Sequence, residues 1–269
     1  MNDFPRYSAP LDAAERREFT PFVHELAAAS AAVIRSHYLD GTAVEIKGDD
    51  SPVTAADRGA ELVMRELIER RYPDHGLLGE EWGTRRPDAR YRWVLDPIDG
   101  TKAFISNAYL FGTLIALLRD GRPILGAIAS PLVGHVLVGL GGGETLLGER
   151  PMRTRRCARV EDATLLTTSH WEMVDHRVGR AFEPLSRRAR LYRSWGDCHG
   201  YFQVATGGAD LMIDPVLKIW DIAALLPVIE GAGGRVTAID GGDPLAASDL
   251  LASGDPALHA QMLRLLNVP

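Results

Sequence analysis

The hexapeptide Asp96-Pro97-Ile98-Asp99-Gly100-Thr101 holds the densest chemistry in the chain. Two carboxylates three residues apart on a tight turn can converge on one point. An oxygen-only donor set with no Cys or His beside it suits a hard cation such as Mg2+ rather than zinc. Pro97 stiffens the turn and keeps Asp96 extended, so that its carboxylate projects from a strand end. Gly100 lets the backbone approach a ligand closely, and a short helix starting there would turn the Gly100 and Thr101 amides toward a phosphate. The plain alternative is a polar turn with Asp99-Gly100 at its corner.

Other acids stand at places where they can complete such a site. Gly79-Glu80-Glu81 follows the apolar pair Leu77-Leu78, which puts a carboxylate at a strand end beside a glycine; a solvated charge pair is the alternative. Asp57 closes Thr54-Ala55-Ala56-Asp57, which also reads as a helix capping box. Asp221 follows Trp220 and precedes the apolar run IAALL, where it reads equally as an N-cap.

The elements that must position these acids are legible in outline. Thr20-Pro21 marks a helix start, with Phe22, Leu26, Ala29 and Val33 at helical spacing and an end near 38–41. A second helix is predicted over 54–71, with Ala60, Met64 and Leu67 on one face and Tyr72-Pro73 as its end. YRWVLD is a strand aimed at the hexapeptide. FGTLIALL, ILGAI and HVLVGL predict an antiparallel meander, and GGGETLLGERP a further hairpin. Residues 123–143 carry no Asp, Glu, Lys or Arg, but their Pro and Gly spacing breaks a membrane helix and predicts sheet core.

Past a basic, irregular stretch at 151–163 the pattern changes. Strands are predicted at 164–168, 190–195, 209–213 and 235–239, and helices at 171–185, 198–207, 221–232 and 256–266. Pro227 predicts a kink or a short first segment in the third of these helices. The expected organisation is two lobes, 1–150 with most of the candidate ligands and 151–269 with Asp221, and an active site between them. The fold class is α/β, as a layered α+β sandwich.

Composition narrows the function. Lys and Arg number 30 against 36 Asp and Glu, a net charge of −6, which argues against grip on nucleic acid by phosphate neutralisation. Two cysteines, Cys157 and Cys198, make neither a disulfide framework nor a structural zinc site, and the first twenty residues hold no apolar signal segment. A cytoplasmic protein with no membrane partner is expected.

The set SPVTAAD, GEE, WVLDPIDGT and WDIAA, in this order, resembles the Mg2+-dependent inositol monophosphatase superfamily across nearly the whole chain. DPIDGTKAFIS, FGTLIALLRDGRPILGAI and GDCHGYFQVATGGADLMIDPVLKIWDIAALLPVIEGAGG look more like its histidinol-phosphate phosphatase branch. Asn107-Ala108-Tyr109 depart from the Gly-x-Pro expected after FIS in that branch. The resemblance implies a sugar-phosphatase fold of two sheets with alternating helix layers. It implies two or three Mg2+ held by Glu80, Asp96, the Ile98 carbonyl, Asp99 and Asp221. Asp57, Thr101 and Glu80 would be catalytic, with Gly100 and Thr101 binding phosphate.

Asp214 matches an acidic contact to the leaving-group alcohol, with Asp197 at the lip of the same pocket and His199 placed to stack on or bond to substrate; the plain alternatives are a turn at Asp214-Pro215, a helix cap at Asp197 and surface or core filling by His199. Two acids there favour a cationic leaving group over neutral inositol. Lys47 matches a lysine on a flap. The arginines at 150, 153, 155 and 156 suit an anion patch or a solvated linker. The implied reaction is hydrolysis of a phosphate monoester, L-histidinol phosphate first and inositol-1-phosphate or a range of sugar phosphates second. Homodimerisation and lithium inhibition come with the resemblance. A catalytically silent metal- or anion-binding relative is the non-enzyme alternative.

Overall fold

The computed structural model describes residues 4–40, 43–46, 48 and 52–267; Lys47 lies outside them. Helix α1 (Ala13–His37) starts earlier than the Thr20-Pro21 signal predicts. The Asp12 carboxylate accepts the Ala14 and Glu15 amides at 2.8 Å each, and the Glu15 carboxylate reaches back to the Asp12 N–H at 2.9 Å. This reciprocal cap wins, and Pro21, whose fixed φ is helical, is carried inside the helix.

Strands β1 (Val44–Ile46) and β2 (Pro52–Thr54) pair as a small hairpin leading into α2 (Ala55–Arg71), which has the predicted bounds. Then come β3 (Gly76–Gly79), β4 (Gly83–Arg85), β5 (Tyr91–Asp99) and α3 (Thr101–Ile105). The meander and hairpin follow as predicted: β6 (Gly112–Arg119), β7 (Arg122–Ser130), β8 (His135–Leu140), β9 (Thr145–Leu147) and β10 (Arg150–Met152). They join one eight-stranded sheet in the order β10-β9-β8-β7-β6-β5-β3-β4.

Beyond it lie β11 (Thr164–Leu166), α4 (His170–Asp175), α5 (Gly179–Arg188), β12 (Leu191–Arg193), α6 (Asp197–Ala205) and β13 (Leu211–Asp214). The chain continues through α7 (Ile219–Ile222), α8 (Leu225–Gly231), β14 (Arg235–Thr237), β15 (Leu250–Ser253) and α9 (Pro256–Leu266). The single helix predicted over 171–185 is two, α4 and α5, separated by the His176–Val178 connection. The break foreseen at Pro227 appears as the division between α7 and α8. Strand β15 is an addition to the sequence reading: it pairs antiparallel with both β13 and β14 in the second sheet, of order β12-β11-β13-β15-β14.

Five layers result, alternating helix and sheet. Along β5, Trp93 and Leu95 point to α1 and α2, whereas Val94 points to the opposite face, as the two-residue period of a strand requires. The α1–α2 face is filled by Phe19, Phe22, Leu26, Met64 and Ile68. On the other face α6 and α8 lie between the two sheets, with Tyr201, Val204, Leu226 and Val228 in one core with Met212 and Val236. Helices α5 and α9 cover the far side of the second sheet through Phe182, Leu185, Leu258 and Met262. Residues 123–143 are sheet core, and among the described residues no helix is long and apolar enough to cross a membrane.

Candidate active site

Strand β5 delivers the hexapeptide to the cleft. Its register against β6 shifts between Asp96 and Asp99, so a bulge interrupts the ladder where the carboxylates must project. The bulge is pinned from below: Thr113 on β6 donates to the Pro97 carbonyl at 2.8 Å, and Thr113 and Ser30 of α1 are hydrogen-bonded at 3.0 Å. Gly100 then turns the chain into α3 with φ of +96°, and a Cβ there would fall 2.9 Å from the Leu110 carbonyl oxygen and 3.0 Å from the Asp197 carboxylate. Only glycine fits this turn without strain.

Carboxylate oxygens of Asp96, Asp99 and Asp221 all lie within 4.8 Å of one another. Asp221 lies inside α7, whose N-cap is Lys218 and not Asp221 as the sequence suggests; from the third helical position its carboxylate reaches back to accept the Lys218 N–H at 2.6 Å. Glu80, on the turn after β3, lines the same cavity, and its charge adds to the repulsion on Asp96 and Asp221. Burial first, then Glu80, Asp99 and Asp221, hold the Asp96 carboxyl well above the usual range. Burial followed by Asp197 and Asp221 does the same to Asp99, against the Cys198 N–H that donates to it at 2.5 Å.

Such a cluster is unfavourable unless a cation neutralises it. One Asp96 oxygen, Oδ1, is buried with no hydrogen-bond partner, an acceptor that a hard cation would satisfy. The donor set is all oxygen, as Mg2+ requires. The residues present therefore fit the metal that the sequence leads one to expect.

Asp57 approaches from the first turn of α2. Its Oδ2 accepts the Thr54 amide at 2.7 Å and the Thr54 hydroxyl at 2.6 Å, so it is a capping residue as well. That leaves Oδ1 toward Thr101, whose hydroxyl stands 3.3 Å from it and 3.0 Å from the Ile98 carbonyl oxygen. The two acceptors share one Thr101 proton.

The cavity, of about 660 Å³, extends from the carboxylates toward the second sheet. Asp214 and Asp197 line it. Asp214 accepts the Thr168 N–H at 2.9 Å and the Tyr201 hydroxyl at 3.0 Å, and burial raises its carboxyl to about 6 despite these donors. Asp197, at the start of α6 in a left-handed conformation, is raised to about 7 by burial and then by Asp214 and Asp221. His199 is not among the residues that line the cavity; its ring stacks on Phe202 at 6.3 Å. Cys198 is buried, and burial pushes its thiol well up, as suits a packing residue.

Trp171 and Glu172 of α4 line the cavity and are absent from the sequence reading. Trp171 is 74% exposed, and Glu172 faces Lys102 of α3 at 3.9 Å. Ser169-x-x-Glu172 signals a helix start, with the Ser169 hydroxyl accepting the Glu172 N–H at 3.3 Å, but nothing local ties that helix to the hexapeptide.

A pH dependence follows. Asp221 is raised to about 6, chiefly by burial, and Asp197 and Asp214 are raised likewise. Folding therefore binds extra protons, and the stability they confer is complete below about pH 4 and is lost as pH rises through 6 to 7. The lowered acids, Asp12 and Glu15 among them, are ionised by about pH 5 and add no slope above it, but burial lowers His75 to about 4 and His259 to about 3 and lowers His176 and His199 as well, so these histidines oppose the fall until about pH 6.5. The Tm of metal-free protein is expected to fall by a few degrees from about pH 6.5 to about pH 8, where Asp96, Asp99 and Asp197 still titrate and the histidines no longer do. Mg2+ should raise Tm most at the upper end. Scanning calorimetry with and without EDTA checks both; a metal-free Tm that climbs over this interval contradicts the assignment.

Comparison with known proteins places this geometry. The profile of the inositol monophosphatase family matches residues 15–267. The chain is 38% identical over 267 residues to the bifunctional phosphatase IMPL2, chloroplastic, of Arabidopsis thaliana, covering 95% of this chain and 77% of the relative. It is 35% identical to a histidinol-phosphatase of Chlorobaculum parvum, covering 76% and 82%. The solved structure of an inositol monophosphatase from Zymomonas mobilis superposes with a TM-score of 0.84 at 38% identity, over 94% of this chain and 99% of that one.

Proposed function

The chain belongs to the inositol monophosphatase family, and from that premise we propose that it is a Mg2+-dependent phosphatase that prefers L-histidinol phosphate, releasing L-histidinol and phosphate by direct attack of water. Glu80, Asp96, Asp99, Asp221 and the Ile98 carbonyl would hold two or three Mg2+. Bound there, Mg2+ supplies neutralisation of the phosphate dianion, acidification of the attacking water and stabilisation of the leaving alkoxide. With its proton turned toward Asp57, the Thr101 hydroxyl presents a lone pair to that water and orients it for in-line attack. Gly100 and Thr101, at the start of α3, are the phosphate-binding residues of this reading.

The observation that carries the substrate choice is the charge on the cavity wall beyond the carboxylate cluster. Asp197, Asp214 and Glu172 line it against one lysine, Lys102, among the described residues. The indole of Trp171 stands beside them. An ammonium group next to the scissile ester and an imidazole behind it match carboxylates and an aromatic face; a neutral polyol leaves those charges unpaired. Direct comparison of kcat/KM on L-histidinol phosphate and inositol-1-phosphate, by phosphate release at fixed Mg2+, tests the choice. The higher value is expected for histidinol phosphate. The reverse order assigns the protein to inositol phosphate, the reading that the name of the Zymomonas mobilis relative supports. No release from any monoester supports the silent relative.

Glu172→Gln sharpens the same test. Its KM for histidinol phosphate should rise by about fivefold, the worth of roughly 1 kcal/mol at a partly exposed ion contact, while KM for inositol-1-phosphate stays put. Equal changes for both substrates would remove Glu172 from the selecting surface. A cytoplasmic, lithium-sensitive homodimer completes the proposal.

A further inference from the structure

We propose that Glu61, a buried carboxylate on α2 outside the candidate ligand set, is the positioning residue that sets Glu80 against Asp57. Glu61 is fully buried beneath the turn joining β3 to β4. Its Oε2 accepts the Glu81 N–H at 2.7 Å; its Oε1 accepts the Trp82 N–H at 3.1 Å and the Arg65 Nε at 2.6 Å. Arg65 also donates to the Gly83 carbonyl, and the Trp82 indole donates to the Arg58 carbonyl at 3.1 Å. The residues that follow Glu80 are thus tied to one helix. Space for the carboxylate exists because residue 79 is glycine: a Cβ there would fall 2.0 Å from Glu61 Oε1.

Asp57 and Glu61 are one turn apart on α2. The helix that carries the water-orienting carboxylate therefore also holds the turn that carries the Glu80 ligand, and the spacing between the two is built before any metal arrives. A charged acceptor matters here. In Glu61→Gln the amide oxygen can still serve Arg65 and Trp82, but the amide NH2 then meets the Glu81 N–H donor to donor, and the turn is released beside Glu80.

The proposal rests on Glu80 being a Mg2+ ligand, and the test separates the two ideas. Calorimetric titration of Mg2+ into stripped wild-type, Glu61→Gln and Gly79→Ala proteins is the measurement. Both variants are expected to bind Mg2+ about tenfold more weakly or worse, the size of effect that loss of an outer partner of a metal ligand brings. Gly79→Ala reaches that result with the Glu61 charge intact. Wild-type protein that takes up no Mg2+ overturns the ligand reading itself. Wild-type binding matched by a folded Glu61→Gln protein overturns the brace alone. Should neither variant fold, amide hydrogen exchange on metal-free wild type decides: slow exchange at Glu81 and Trp82, as in the β3 ladder, supports the brace, and free exchange there overturns it.

Discussion

Asp96→Asn is expected to lower phosphate release by about a thousandfold or more and, at the same time, to raise the Tm of the metal-free protein. Asp96 is buried at the centre of the cluster, pushed up by burial and by Glu80, Asp99 and Asp221 together. An amide of the same shape removes one charge from that repulsion and offers an NH2 to its acidic neighbours, so the fold gains. The proposed cation site would lose a hard anionic ligand at a buried point, and the electrostatic stabilisation of the transition state would go with it. Opposite signs on activity and stability distinguish this from damage to the core, where both would fall. Steady-state phosphate release beside calorimetry of stripped protein reads the two signs; an active variant, or one that is both inactive and less stable, contradicts the placement of Asp96.

Asp57→Asn is the second large effect, a fall in kcat of about 10²- to 10⁴-fold, the range of a lost proton acceptor. The capping contacts survive, because the retained carbonyl oxygen can accept the Thr54 amide and hydroxyl at the position of Oδ2. At the Oδ1 position the new NH2 would donate toward Thr101 and reverse the hydrogen bond that Thr101 now makes to Asp57. The Thr101 hydroxyl then points its proton outward and cannot receive one from water. Thr101→Val removes the same path from the other end, and the double variant should lose little more than either single one. Full additivity of the two losses would show that Asp57 and Thr101 act separately.

Local chemistry was legible where one short segment carries it. DPIDGT announces its own turn, and the capping signals at Thr54 and the stop at Tyr72-Pro73 place α2 to the residue. The helix start at Asp12 was hidden because Thr20-Pro21 is the stronger signal in isolation, whereas the Asp12–Glu15 box needs both partners to be seen. Strand β15 is four residues long, and it is a strand because β13 and β14 flank it, a relation with no trace in its own sequence.

The same limit governs the site. Asp96 and Asp99 could be paired from spacing, but the arrival of Asp221 from α7 depends on how α7 and α8 pack across the sheet. There Gly126 and Gly139 leave no Cβ where the α8 backbone lies. Glu61, four residues before Arg65, reads as an ordinary helical ion pair until the β3–β4 turn is folded over it. Trp171 and Glu172 read as the start of a surface helix. Each acquires a role only through a contact distant in sequence.

Central to the proposed function is a cleft whose acids would become a phosphate site only when a divalent cation fills it. Release of phosphate from L-histidinol phosphate, followed as Mg2+ is added back to protein stripped with EDTA, addresses that directly. The expected result is no release before addition and a saturable rise with Mg2+. Undiminished release in EDTA, or none at saturating Mg2+ from this or any other phosphate monoester, contradicts it.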